Sequence, residues 1–221
     1  MIQIQNYNKE KQKLVFATDM PISLANAIRR SVLEIPIMAI DEVEIFKNDS
    51  ALYDEIIAHR LGLVPIKTSK TSKETKFKLK AKGPCTVYST DISPSAGTEY
   101  KIPITILDEG QEIEIVANAK LGLGIEHVKH SPGLIYYRHD LDPKILDFVS
   151  IDESGEISYD EKELERKGVS QEDIDKIKKL SKTIQLKFSI ESWGQIEVKE
   201  IFKKSIEVLD KNLEKLDKAA K

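Results

Sequence analysis

Alternating apolar and polar residues open the chain and predict a β-hairpin. The segment IQIQ alternates residue by residue, and the apolar run KLVFAT follows the polar connection Asn6 to Lys11. A period of two places the apolar side chains on one face of a strand. We therefore expect a strand, a turn and a second strand at the start of the chain.

A helical repeat follows in the segment LANAIRRSVLEI. Ser23 is its predicted N-cap, and Pro36 ends it because proline cannot continue the helical hydrogen bonding. At about 100° per residue, five apolar side chains form a stripe about 100° wide, which predicts packing on a sheet. They are Leu24, Ala25, Ile28, Val32 and Ile35.

Leu33 falls on the opposite side of this helix, beside Arg29 and Arg30. An apolar side chain framed by two guanidinium groups is typical of a protein interface. A single exposed leucine is also common on free surfaces. The pattern does not separate these interpretations, and it makes Arg29, Arg30 and Leu33 candidates for a partner interface.

Closely spaced strand patterns make up much of the rest of the chain. They are MAIDEVEIF, KFKLKA, TVYSTDI, KIPITIL, QEIEIVANA, LIYYRHD and TIQLKFSIESW. The spacing leaves too little room for a crossover helix between each pair, so we expect a largely antiparallel α+β fold. From about residue 147 to residue 182 the chain is strongly charged, and Ser170 there is the predicted N-cap of a short exposed helix.

The chain ends in a long amphipathic helical pattern, QIEVKEIFKKSIEVLDKNLEKLDKAAK. Its apolar side chains fall within about 80° of one another, and Ile201 and Val208 widen the arc to about 160°. The narrower set is Val198, Phe202, Ile206, Leu209, Leu213 and Leu216. An apolar arc of about 160° is wider than packing on one sheet requires. The pattern therefore favours contact with a second helix from another chain. Docking in the chain's own core is the alternative.

The segment YDEIIAHRLGLVPI concentrates polar chemistry. Glu55 and His59 are four residues apart, a spacing that lets a carboxylate orient an imidazole on a helix. We expect Gly62 to cap this helix with a left-handed backbone, and Ile56 and Ile57 to pack it down. The segment shows no nucleophile or oxyanion donor. We therefore interpret His59 and Arg60 as part of an assembly surface rather than as a catalytic dyad.

Composition limits the classes of function. The 221 residues are 40% hydrophobic and 32% charged, with net charge −3, so a direct nucleic-acid contact is not expected. Cys85 is the single cysteine, which excludes an internal disulfide and a cysteine-ligated cluster. No apolar run approaches the ~20 residues that span a bilayer, so we expect a cytoplasmic protein without a membrane contact. The basic stretch Lys67 to Lys82 is expected to be a loop and an exposed edge strand.

Three histidines offer an alternative function. The spacing of His127 and His130 is compatible with metal binding, and His139 and Asp140 follow closely. A metal-dependent hydrolase using His127, His130 and His139 is therefore one alternative, although histidines of this kind are more often hydrogen-bonded or simply exposed. An adaptor of another complex is a further alternative.

Four segments together resemble the α-like subunits of multisubunit RNA polymerases. They are NAIRRSVLEIPIMAIDEVEI, LYDEIIAHRLGLVPI, EIEIVANAKLGLGIEHVKHSPG and FSIESWGQIEVKEIFKKSIEVLDKNL, in family order. The resemblance is most specific to the archaeal members of this family, which are related to the bacterial α subunit and to the third-largest subunit of eukaryotic RNA polymerase II. It implies a dimerisation domain, residues 1–40 and 183–221, with an inserted, mainly antiparallel domain at residues 41–182.

The resemblance also implies partners and roles. The chain would form a heterodimer with the small subunit L through a surface that includes Phe202, Ile206, Leu209 and Leu213. Subunit N and the two large catalytic subunits would assemble on it, and DNA and RNA would be met only through the complex. Relatives with a ferredoxin-like insertion hold iron–sulfur clusters, but residues 147–182 contain no cysteine, so no cofactor is expected.

Overall fold

The fold consists of two compact units, each built from two separated stretches of chain. The first contains Met1–Arg30 and Ile135–Glu191, and the second contains Ser31–Leu134 and Ser192–Lys221. The computed structural model describes residues 2–69, 74–97, 100–141, 148–152, 156–166, 168–178 and 185–220. The predicted domain boundaries, after residues 40 and 182, stay a prediction.

Helices and mostly antiparallel strands alternate irregularly along the described part of the chain. The strands are β1 (Ile2–Asn8), β2 (Lys13–Thr18), β3 (Ile37–Asn48), β4 (Thr75–Lys82), β5 (Cys85–Tyr88), β6 (Pro103–Leu107), β7 (Glu112–Gly122), β8 (Gly133–His139), β9 (Ser150–Ile151), β10 (Ile157–Ser158) and β11 (Leu186–Ser192). The helices are α1 (Ile22–Ser31), α2 (Asp54–Gly62), α3 (Glu161–Arg166), α4 (Gln171–Lys178) and α5 (Val198–Ala219). The α+β prediction is confirmed.

In the first unit, a sheet of order β1-β2-β11-β8 forms around two aromatic rings. β1 and β2 pair antiparallel, which confirms the predicted hairpin. Phe16 of β2 lies opposite Phe188 of β11, and their rings stack with centroids 5.2 Å apart. Both side chains are almost fully buried. Since alternate residues of a strand face the same side, opposite residues of paired strands meet on one face of the sheet.

Helix α1 confirms most of the predicted stripe. Ala25 and Ile28 are buried, whereas Leu24 is 42% exposed, so its assignment to the core is wrong. The helix begins at Ile22, and the N–H of Ala25 donates to the Pro21 carbonyl, which places Ser23 inside the first turn rather than at the N-cap. A 3₁₀ turn, Val32–Glu34, follows the helix.

The charged segment before β11 folds locally in its described parts. Helix α4 begins directly after Ser170, whose carbonyl accepts the N–H of Ile174. Ile174 and Ile177 are buried with Leu164 in a small apolar cluster. The expected helix is therefore present, but it is not simply exposed. The last residues of its predicted span, 179–182, lie outside the described residues.

The second unit contains the largest core cluster. A sheet of order β3-β7-β4 packs its apolar face under α2 and the β5-β6 pair. Its central strand β7 pairs antiparallel with both neighbours, so Ile115 lies between Ile45 and Leu79. This layered arrangement fixes α2 against β3 and β6.

Edge strand β4 explains the basic stretch. Lys76, Lys78, Lys80 and Lys82 are exposed and alternate with inward-facing residues such as the buried Phe77. Lys80 and Lys82 pair with glutamates of β7 at 2.8 and 2.9 Å. The order β3-β7-β4 places β4 at an edge of the sheet, which confirms the predicted edge strand. Charged side chains along an edge oppose unwanted strand pairing. Residues 70–73 of the expected loop lie outside the described residues.

Within the described residues, the longest helices are too polar to cross a bilayer.

Candidate assembly surfaces

Helix α2 is anchored by one apolar side and by its first turn. Ile57 and Leu61 are almost fully buried. At the N-terminus, the Asn48 side-chain amide donates to Asp54 Oδ1 at 2.7 Å. A carboxylate in the first turn also interacts favourably with the helix dipole. The cluster of Asp54 and Glu55 thus has a structural explanation in helix initiation.

His59 and Arg60 are both exposed at the end of α2. Arg60 is not entirely free, because its Nη1 donates to the carbonyl of Ile104 in β6 at 2.8 Å. This bond uses one of the five N–H donors of the guanidinium group and leaves the others for a partner. No hydrogen bond between Glu55 and His59 occurs among the described residues, so the chain provides no oriented dyad there.

The outer side of α2 is more apolar than the sequence pattern suggested. Tyr53 is 80% exposed, Ile56 44% and Leu63 50%. Counting about 100° per residue, these three and Arg60 fall within about 80° of one another. The expectation that Ile56 packs the helix down is wrong, because only Ile57 of that pair points into the core. We call this set, Tyr53, Ile56, Arg60 and Leu63, the α2 face.

Gly62 does not have the predicted role. It is the last residue of α2, and the C-cap is Leu63 in a right-handed conformation. Gly62 is absent from the positive-φ glycines. The predicted left-handed cap is therefore wrong.

Leu33 forms a second exposed surface with a loop distant in sequence. Its side chain is 41% exposed, and its carbonyl accepts the N–H of Ile125 at 3.1 Å. Gly124 permits this approach, since a Cβ there would lie 3.2 Å from Leu33 Cδ2. Ile125 and Val128 are 68% and 70% exposed. We call Leu33, Ile125 and Val128 the Leu33 patch; the sequence pattern does not identify its last two members.

The two arginines beside Leu33 in sequence lie at the end of α1. Arg29 contacts the Asn26 side chain through two long hydrogen bonds of 3.4 Å. Arg30 is exposed. Whether Arg29 and Arg30 share one partner with Leu33 stays a prediction.

Helix α5 leaves a large part of its apolar arc uncovered in this chain. Buried side chains occur only near its start, at Val198, Ile201 and Ser205. Farther along, Ile206 is 42% exposed, Leu213 55% and Leu216 66%. Phe202 and Leu209 are half-buried. We call Phe202, Ile206, Leu209, Leu213 and Leu216 the α5 stripe.

Asp41 of β3 makes two ion pairs, and the one with Lys129 holds the loop of the Leu33 patch to β3. Asp41 contacts Lys129 at 2.6 Å and Lys120 at 2.5 Å. Hydrogen bonds from Lys120 and then Lys129 lower the pKa of Asp41 to about 2. Asp41 therefore stays ionised over the whole neutral range, and the tether between β3 and residues 127–130 persists there.

Two of the three candidate metal-binding histidines make local hydrogen bonds instead. His130 is 3% exposed and its Nδ1 lies 2.7 Å from the carbonyl oxygen of Ile37, which it reaches as a donor. His127 Nδ1 accepts the N–H of Lys129. His139 lies in the other unit, with its Nε2 buried. Among the described residues no three His, Cys, Asp or Glu side chains could hold a metal, which gives the hydrolase alternative no support.

The buried His130 predicts a pH dependence of stability. Burial lowers the pKa of His130, an effect opposed by its bond to Ile37. The unfolded chain then binds more protons than the folded one below the ordinary histidine pKa of 6.5. We expect the free energy of unfolding to be constant above pH 7 and to decrease as the pH falls below about 6.5.

Urea unfolding of the chain between pH 5.5 and pH 8 measures this dependence. A His130→Gln variant is the control and should show a weaker slope. Some slope should remain, because burial lowers the pKa of His139 as well. Equal slopes in the two proteins would show that His130 is not titrating as proposed.

Comparison with known proteins yields one consistent family. Residues 34–136 match the family model described as the RNA polymerase Rpb3/RpoA insert domain. The chain is similar to DNA-directed RNA polymerase subunit Rpo3 of Pyrococcus furiosus, at 41% identity over 62% of this chain and 59% of the relative. It is similar to Rpo3 of Methanocaldococcus jannaschii at 40% identity, over 67% of this chain and 82% of the relative.

A third relative matches along almost the whole length. Rpo3 of Archaeoglobus fulgidus is 30% identical over 98% of this chain and 96% of the relative. By contrast, the chain spans only 59% of the Pyrococcus furiosus relative and 60% of Rpo3 of Pyrococcus horikoshii. The near-complete match includes the strands and helices that carry all three exposed surfaces.

Proposed function

The chain belongs to the family of the DNA-directed RNA polymerase subunit Rpo3, and from this premise we propose that it is a non-catalytic assembly subunit of DNA-dependent RNA polymerase. The observation that carries the proposal is the α5 stripe, in which Leu213 is 55% and Leu216 66% exposed. Uncovered apolar side chains at this spacing fit a helix of another chain. In this proposal the occupant is the small subunit L.

The two other surfaces provide docking sites for further subunits. The α2 face combines exposed aromatic and aliphatic side chains with Arg60, the composition of an interface centre. The Leu33 patch adds three exposed apolar side chains, two of which lie on a loop tethered by Asp41. We assign these surfaces to the large catalytic subunits, with subunit N joining the same platform.

Chemistry belongs to the large subunits in this proposal. The complex is a nucleotidyltransferase, and this chain contributes assembly surfaces to it rather than reacting groups. DNA and RNA contact other subunits, consistent with a net charge of −3 on this chain. The complex works in the cytoplasm.

Affinity purification from the native cell tests this function. A tag on the chain should recover the large subunits and subunits L and N, together with DNA-dependent RNA synthesis. The adaptor alternative predicts a different set of proteins and no RNA synthesis. Recovery of the chain without polymerase subunits would contradict the proposal.

A pair of glutamate substitutions tests the Leu33 patch. Leu33→Glu replaces a side chain that is 41% exposed, so its effect on folding should stay within about 0.5 kcal/mol. It should nevertheless weaken docking of a large subunit, because it introduces a charge into an apolar contact. Ile28→Glu buries a carboxylate where Ile28 is 4% exposed, and it should unfold the protein.

Circular dichroism and assembly of reconstituted polymerase distinguish the two variants. We expect a native spectrum and poor assembly for Leu33→Glu, and loss of the native spectrum for Ile28→Glu. Similar unfolding of both variants would disprove the assignment of the two sides.

A further inference from the structure

A groove runs along the flank of α5 that does not carry the stripe. It has a volume of about 370 Å³ and is open to solvent. One wall is a side of α5. The other is formed by the residues just before β3, the end of β7 and Ser69. The lining residues are Ile35, Pro36, Ser69, Leu121, Lys204, Glu207, Val208 and Lys211.

The helix geometry separates this groove from the α5 stripe. Counting about 100° per residue, Lys204, Val208 and Lys211 fall within about 60° of one another. The members of the stripe lie about 110–170° away from the centre of that set. A chain bound to the stripe would therefore leave the groove accessible, and the groove needs an occupant of its own.

The groove is pre-formed rather than dependent on a moving helix. The Asn212 side-chain amide donates to Glu34 Oε2 at 2.8 Å, which joins α5 to the 3₁₀ turn beside the groove. The first turns of α5 are fixed by the buried Ile201. Binding in a rigid groove loses little conformational entropy on the side of this chain.

Charges and apolar atoms have a definite order along the groove. Lys204 and Lys211 flank Val208, and across from them Leu121 is 43% exposed. Within the described part of the chain, neither ammonium group has a hydrogen-bond or ion-pair partner. Glu207 is the carboxylate among the lining residues. The groove thus offers an apolar centre between two unpaired positive charges.

We propose that this groove binds an extended segment of another polymerase subunit, in which an apolar residue is flanked by two carboxylates about three residues apart. The proposal rests on the assignment of the chain to RNA polymerase. Seven residues of helix separate the lysines by about 10.5 Å, which an extended chain spans in about three residues at about 3.3 Å each.

Lysine reactivity in the intact polymerase tests whether the groove is occupied. Brief acetylation, read by mass spectrometry, should modify Lys204 and Lys211 at least about tenfold less in the polymerase than in the isolated chain. Lys203 is the matched control, because it lies on the same helix, its side chain is 70% exposed and it does not line the groove. Equal protection of all three lysines, or protection of neither groove lysine, would overturn the proposal.

Zero-length carbodiimide coupling then identifies the occupant, since it joins only amines and carboxylates in direct contact. We expect Lys204 and Lys211 to couple to two carboxylates of one subunit, about three residues apart in its sequence. Coupling seven residues apart would indicate a helix and contradict an extended segment. Coupling to Glu207 alone, or to a protein outside the polymerase, would also overturn the proposal.

Charge reversal provides the last control. Lys204→Glu combined with Lys211→Glu should weaken retention of the coupled subunit about tenfold or more. Lys203→Glu should leave retention unchanged. If pairing with subunit L persists but the groove lysines stay reactive, the groove proposal fails and the assembly function stands. If no polymerase subunit binds the chain at all, the assembly function itself fails.

Discussion

Leu213→Asp should abolish the complex of this chain with the small subunit L while leaving the chain folded. Leu213 is 55% exposed, so an aspartate there should change the free energy of unfolding by no more than about 0.5 kcal/mol. In the complex, the same aspartate would be buried without a partner, at a cost of several kcal/mol. A loss of that size weakens binding about a thousandfold.

Sedimentation equilibrium of the coexpressed pair measures the loss, and thermal melting followed by circular dichroism verifies the fold. Lys215→Asp is the matched control, because Lys215 lies about 160° around the helix from Leu213. Without subunit L, the wild-type chain should self-associate through the α5 stripe. A wild-type chain that remains a soluble monomer and ignores subunit L would disprove the heterodimer.

The exposure of Leu213 is a property that the structure shows and the sequence pattern does not. Leu209 is a weaker test because it is half-buried in this chain, so an aspartate there would disturb the fold as well as the interface. Removing the whole helix would remove the buried Ile201 too. The amphipathic period identified the stripe, but periodicity cannot show where along a helix the chain's own packing ends.

The helix α1 shows the same limit on a smaller scale. The 3.6-residue period correctly predicted that Ala25, Ile28, Val32 and Ile35 are buried. Leu24 lies about 100° from Ala25, at the margin of the stripe, and only the depth of the neighbouring sheet decides such a position. The regular α-helix also ends at Ser31, before the last two stripe residues.

The α2 face and the Leu33 patch depend on contacts that sequence patterns do not encode. Tyr53 and Leu63 flank a helix whose outward side is set by β3 and β6. Ile125 meets Leu33 through a backbone bond across some ninety residues. Apolar residues in a loop are ordinarily expected to be covered or scattered, so their clustering became visible only in three dimensions.

The packing of His130 likewise joins distant parts of the chain, and it predicts a large effect for Gly122→Ala. A Cβ at Gly122 would lie 2.4 to 2.7 Å from three atoms of the His130 ring. The ring cannot move aside freely, because it is 3% exposed and bonded to the Ile37 carbonyl at 2.7 Å. Overpacking costs about 1–3 kcal/mol, and leaving the Ile37 carbonyl unpaired adds about 1–3 kcal/mol.

A double-mutant cycle separates this clash from a general intolerance of alanine. Gly122→Ala alone should lower the free energy of unfolding, measured with urea at pH 8, by about 2–6 kcal/mol. In a His130→Ala background the same change should have little further effect, because the obstructing ring is gone and the two sites are coupled.

Gly62→Ala is the glycine control. Its Cβ would meet Ile40 O at 3.7 Å, an ordinary contact, so helix propensity should make that variant neutral or up to about 1 kcal/mol more stable. Additive losses at Gly122 and His130 would show that the ring does not limit space at the end of β7.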